Sequence, residues 1–160
     1  MFTRRTLFVA ATVAALAGCA TPSRPVPVAD AIAAQPELTT LNSLIVKAGL
    51  SDTLRGTGPF TVFAPSNQAF AKVPAQTMDA LAKDPAKLKA VLTYHVLPGK
   101  LMAADAKNGN NKTVNGASVA LARAGDFLTV EDALVQTPDV AASNGVVHIV
   151  DSVLMPPAGK

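Results

Sequence analysis

Few side chains in this sequence could do chemistry, and their spacing limits which kinds. Of the 160 residues one is a cysteine, Cys19, and two are histidines, His95 and His148. A disulfide needs a second thiol, a thiolate metal site recruits several ligands, and a catalytic cysteine needs a base held beside it by a folded scaffold. Cys19 sits in "ALAGCATPSRPVP", between an apolar run and a proline-rich stretch, too early and in too irregular a context for any of these. Neither histidine belongs to an H-x-x-E-H, H-E-x-x-H or Cys/His pattern. Ser66, Ser118, Ser143 and Ser152 lack a G-x-S-x-G elbow, and a triad would have to draw on one of the two histidines. There is no glycine-rich phosphate loop. Asp105, Asp126, Glu131, Asp132, Asp139 and Asp151 show no calcium-loop spacing, and Glu131-Asp132 is expected to be a solvated strand end rather than an acid/base pair. The expectation is a protein that is no enzyme and needs no cofactor or metal. His148, in an apolar strand, is expected to be a hydrogen-bonded core residue. Tyr94 and His95 stand at a helix-to-strand junction among Val91, Leu92, Val96 and Leu97. There the imidazole either bonds freed backbone groups or contacts a partner, and both roles are open.

The segment before Cys19 explains the lone thiol. Arg4 and Arg5 form a charged head and Leu7 to Leu16 an apolar stretch of secretory length, about half a membrane span. Residues 1–18 are therefore an expected export signal. "LAGC", Leu16 to Cys19, resembles the lipobox of bacterial lipoproteins. That resemblance implies that Cys19 carries lipid and, after cleavage, is the first residue of the mature chain. "TRRTLF" is similar to a twin-arginine signal, with Val9 where lysine is common, so the general secretory and twin-arginine routes both remain open. Ala20, rather than Asp, follows the cysteine, which in a Gram-negative cell favours the outer membrane. Pro22, Pro25 and Pro27 keep residues 20–28 out of helix and central strand, giving a tether that reaches up to roughly 28 Å.

Removing residues 1–18 leaves 142 residues and takes away two arginines but no acid, so the formal charge falls from +3 to +1. The basic balance therefore identifies no partner, and Lys83, Lys87 and Lys89 form the densest cationic cluster, on one solvated helix face. A nucleic-acid stripe with interleaved aromatics is missing. One domain of this size buries a sufficient core without disulfides.

The elements that must position Tyr94, His95 and His148 divide by hydrophobic period. Leu38, Leu41, Leu44, Ile45 and Ala48 recur at three and four residues, with Pro36 at the start and Gly49 suited to the stop. A short helix from Ser51 to Leu54 ends at "GTGP", and "FTVFA", Phe60 to Ala64, is a strand. Ser66 or Asn67 caps the next helix, and two more follow in "MDALAKD" and "PAKLKAVLTYH". From Val96 the period changes to short strands: "KTV", "SVALA", "FLTVE" and "VVHIVDSVL", the last buried on both faces, with turns at Asn115-Gly116, Gly125-Asp126 and Asn144-Gly145. Helices first and strands afterwards predict an α+β fold with a mainly antiparallel sheet.

Three ordered segments carry a family resemblance. "GPFTVFAPSNQAF", Gly58 to Phe70, "VLTYHVLPGKL", Val91 to Leu101, and "SNGVVHIVDSVLMPP", Ser143 to Pro157, resemble the signature segments of the fasciclin (FAS1) domain, and "LNSLIVKAGLSDTLRGTG" fits its helical entry. The resemblance gives a division into signal 1–18, lipid cysteine and tether 19–28, FAS1 domain 29–157 and tail 158–160. It implies a β-sandwich-like wedge with N-terminal helices packed against it and a non-enzymatic adhesion module at the cell envelope. Its partner would be a protein, a polysaccharide or matrix, with a small-ligand or lipid-binding periplasmic lipoprotein as the alternative. In animal fasciclin domains the segment matching Tyr94 and His95 is associated with adhesion.

Overall fold

The computed structural model describes residues 26–156, so Cys19 and most of the expected tether lie outside the described residues. Val28, placed by sequence at the end of the tether, instead opens helix α1, Val28–Ala33, and is fully buried. The reason is a long-range anchor. The Val28 N–H donates to Asn144 Oδ1 at 2.7 Å, and Ser143 N–H donates to the Val26 carbonyl at 2.8 Å.

A 3₁₀ turn, Pro36–Leu38, leads into α2, Thr39–Lys47, and α3, Ser51–Arg55, as the apolar spacing predicts. Strand β1, Phe60–Pro65, precedes α4, Asn67–Ala71, whose N-terminus is capped by Ser66 Oγ accepting from Ala69 N–H at 3.2 Å. Helices α5, Ala75–Lys83, and α6, Pro85–Tyr94, follow. Asp84 caps α6 by accepting the Ala86 and Lys87 amides at 3.0 and 3.2 Å, and Pro85 begins the helix without needing a donor.

The strands are β2, Val96–Pro98, β3, Gly109–Lys112, β4, Ser118–Ala124, β5, Phe127–Val130, β6, Ala133–Ala142, and β7, Gly145–Val150. They form one sheet in the order β2-β1-β7-β6-β5-β4-β3, with β1 and β7 parallel and every other neighbour antiparallel. The last strand stops at Val150, four residues short of the expected Leu154, because Asp151 and Ser152 bend the chain. Glu131 likewise lies in the β5–β6 turn, with φ of 55°, rather than at a strand end.

The sheet curls into a wedge because β6 is broken by two register shifts, between Val135 and Thr137 and between Thr137 and Val140. Pro138 falls at that break, where a missing N–H costs no ladder bond, and Asp139 takes a φ of 57°. β1 then serves two interiors. Val62 and Ala64 pack with Ile32, Leu41, Ile45, Leu88 and Leu92 under the helices, while Phe63 packs with Leu97, Leu121, Leu128, Val130 and Val150 between the leaves of the wedge. All six residues of β7 are buried, as a strand covered on both faces requires.

Candidate functional site

Helix α6 carries Tyr94 and His95 to the junction between those two interiors, and the side chains divide between them. Tyr94 is 2% exposed and packs in the wedge. Its hydroxyl lies 3.2 Å from the Ser118 carbonyl and 3.3 Å from Glu131 Oε1, which also accepts the Ala120 amide at 2.8 Å. Burial raises the phenol's pKa above its ordinary value, and the charge of Glu131 adds to the rise. Tyr94 is a neutral strut between the end of α6 and the turns of the small leaf.

His95, also 2% exposed, holds the chain after β7. Leu154 N–H donates to Nε2 at 3.0 Å, so that nitrogen is bare and the proton sits on Nδ1, which donates to the Val91 carbonyl at 2.8 Å. Desolvation by burial drives the imidazole's pKa down to about 4, against a smaller upward pull from the Val91 carbonyl.

His148 repeats the arrangement inside the sheet. The Asp139 amide, freed by the β6 bulge, donates to Nδ1 at 3.1 Å, and Nε2–H donates to the Leu101 carbonyl at 2.8 Å. The ring stacks on Phe63, its register partner in β1, with centroids 5.5 Å apart. Burial lowers its pKa, opposed by the Leu101 carbonyl and the charge of Asp139. Both imidazoles are therefore neutral cross-links with neither nitrogen available to a metal or a reacting group. Among the described residues no group of three His, Cys, Asp or Glu is placed to hold a metal ion.

Two further polar anchors were not singled out by the sequence. The sequence marks Asn144 as a turn residue, yet its amide ties three segments together: besides accepting from Val28, its Nδ2 donates to the Leu54 and Gly56 carbonyls at 2.8 and 2.7 Å. Asp151 accepts the Leu134 amide at 2.8 Å and pairs with Lys72 at 3.4 Å. Nothing local to either residue signals partners 17 to 116 positions away.

The interior leaves little room for a guest. The apolar cavity between α2, α3, α6 and β2, lined by Leu41, Ile45, Leu54, Phe60, Leu92 and Val96, has a volume of about 40 Å³. Small-molecule sites occupy roughly 300–1,000 Å³. Among the described residues, larger spaces include open surface grooves. One of about 470 Å³ runs past Arg55, Pro59, Lys100 and Asn144, and another of about 260 Å³ lies between β2 and β3.

Comparison with known proteins places this geometry. The Fasciclin domain family model matches residues 36–156. A protein of a Synechocystis species, sll1483, is 39% identical over 132 residues, spanning 81% of this chain and 73% of its own length. The immunogenic protein MPB70 of Mycobacterium bovis is 43% identical over 137 residues, 82% of this chain and 70% of its own. The cell surface glycolipoprotein MPB83 of the same species is 41% identical over 82% of this chain and 61% of its own length. Among solved structures, a FAS1 domain pair from the insect cell adhesion molecule Fasciclin I is matched with a TM-score of 0.66 at 18% identity. The match covers 81% of this chain and 51% of that one, a likeness of fold.

Proposed function

This chain belongs to the fasciclin domain family, and on that premise we propose that it is an envelope-anchored interaction module that binds a protein or polysaccharide partner through its surface and catalyses no reaction. The observation that carries this reading is the commitment of its reactive side chains. His95 and His148 each have both ring nitrogens bonded to backbone, and the Tyr94 hydroxyl faces the Ser118 carbonyl and Glu131. With the interior cavity at about 40 Å³, a binding role falls to the exterior rather than to an internal ligand. Relatives named for the cell surface support an exported location. In this reading Cys19 carries the lipid, the proline-rich segment holds the domain off the membrane, and Tyr94 and His95 act by shaping the surface that a partner meets.

The test is retention of native envelope material on the immobilised full chain carrying Cys19→Ser. Specific retention, lost after the envelope is treated with protease or with periodate, supports the module and tells a protein partner from a polysaccharide. No retention above a blank matrix, or turnover of an envelope component during the assay, overturns it.

A further inference from the structure

The outer strands of the sheet, β2 and β3, stand at opposite ends of its order, yet the curl of the wedge brings them together. Val114, just past β3, donates its N–H to the Val96 carbonyl of β2 at 2.8 Å, the one backbone bond across this seam among the described residues. Beside it lies the groove of about 260 Å³, lined by Leu97, Pro98, Lys100, Leu101, Asn111 and Lys112.

Ladder parity fixes which backbone groups face that groove. In an antiparallel pair, residues alternate between bonding their neighbour and pointing away from it. Thr113 N–H donates to the Ala117 carbonyl, so Asn111 opposite Val119 and Gly109 opposite Leu121 also bond β4. Asn110 and Lys112 therefore turn their N–H and C=O outward, as Val114 does. On β2 the equivalent outward residues are Val96 and Pro98, since His95 and Gly99 bond the β1 side. Pro98 has no N–H to offer, so β2 is guarded against strand addition while β3 is open to it.

The charged side chains in the groove lining are both lysines. Lys100 and Lys112 are exposed, take part in no ion pair among the described residues, and share the groove with no carboxylate. The adjoining groove of about 470 Å³ shares Lys100 and also touches Arg55, but that guanidinium is already paired with Asp30 at 2.7 Å, so the cations the seam offers a partner are Lys100 and Lys112.

We propose that the β2–β3 seam receives an extended acidic peptide segment of the partner, which adds as a strand along β3. Its backbone bonds the outward groups of Asn110 and Lys112, and its carboxylates face Lys100 and Lys112. Donor and acceptor pairs recurring at alternate residues, about 6.8 Å apart, match a peptide backbone and not a sugar chain. The proposal rests on the interaction-module reading and names its partner's chemistry.

The experiment uses the ¹⁵N-labelled full chain carrying Cys19→Ser. The probes are a ten-residue peptide alternating Glu with Val or Thr, the same peptide N-methylated at alternate residues, and polygalacturonate. The expected result is that the first peptide shifts the Asn110 and Lys112 amides and protects them from exchange. N-methylation and Lys112→Glu should each weaken binding by about tenfold, and Asn110→Pro should block it. Equal binding of the N-methylated peptide, or shifts of these amides with polygalacturonate and not with the peptide, would overturn strand addition. If the peptide leaves both amides unmoved while the immobilised chain still retains envelope material, the seam is wrong and the module reading stands.

Discussion

Because the Leu154 amide donates to His95 Nε2, protonating that nitrogen breaks the bond that holds the chain after β7. No charged group contributes to the His95 shift. Its folded pKa of about 4 lies below the unfolded value of about 6.5, so the unfolded chain binds the proton first as pH falls. The stability held above pH 6.5 is thus lost across the window from 6.5 to about 4, with about 3 kcal/mol gone by pH 4 from this group alone. His148, also depressed, adds in the same direction. Asp151 begins below its ordinary carboxylate value, where burial, which raises it, is outweighed by the Leu134 amide, Ser152 and Lys72, and so acts at lower pH. Urea unfolding at pH 7.5 and 4.5 should show the loss. His95→Gln, weaker at pH 7.5, should lose less between the two; an equal loss would assign the acid response elsewhere. Tyr94 is tested by size: Tyr94→Ala should cost about 3 to 5 kcal/mol and Tyr94→Phe only about 1, measured by the same unfolding. A mild Tyr94→Ala would contradict its placement in the wedge. That His95 and Tyr94 matter was visible from an aromatic and an imidazole amid valines and leucines. Which nitrogen meets Leu154 was not, since the partner lies 59 residues away.

Local rules located most elements and missed the first. Helix α2 follows its apolar spacing, α6 begins at Asp84-Pro85, and β4, β5 and β7 each begin at an expected turn. Helix α1 was hidden because its six residues follow Pro27 and it has no side-chain cap; it is held by Asn144 from the far end of the chain. β6 is hidden in the sequence, since Pro138 argues against a strand and only the bulge accommodates it. These two misses share a cause, namely contacts across the fold that override local preference. Asn144→Ala should therefore loosen several elements at once. It leaves the Val28 amide and the Leu54 and Gly56 carbonyls without their partners, at more than about 2 kcal/mol in all. Asn144→Asp retains the acceptor for Val28 and should fall between. Hydrogen exchange should accelerate in α1 and at the end of α3 in the alanine variant; a change confined to the β6–β7 turn would mean that Asn144 serves only that turn.

At the scale of the molecule, the family was legible because its three segments converge on the parallel β1–β7 pair and the α6–β2 junction, where burial leaves few residue choices. Closure of the sheet was not legible, since β2 and β3 meet only through the curvature that the β6 bulge imposes. The described domain contains no helix long and apolar enough to cross a membrane, so attachment in the proposed reading rests on Cys19 and its lipid. A single acyl chain gives marginal, reversible binding, each buried CH₂ adding about 0.8 kcal/mol, and two or more chains give stable anchoring. Diacylglyceryl transfer to the Cys19 thiol supplies two. Cys19→Ser should shift the protein from the membrane pellet to the soluble fraction and remove the mass of the lipid, while the domain, whose described core begins at Val28, keeps the melting temperature of the parent chain. A variant that stays in the pellet with unchanged mass would show that something other than this thiol holds the chain at the envelope.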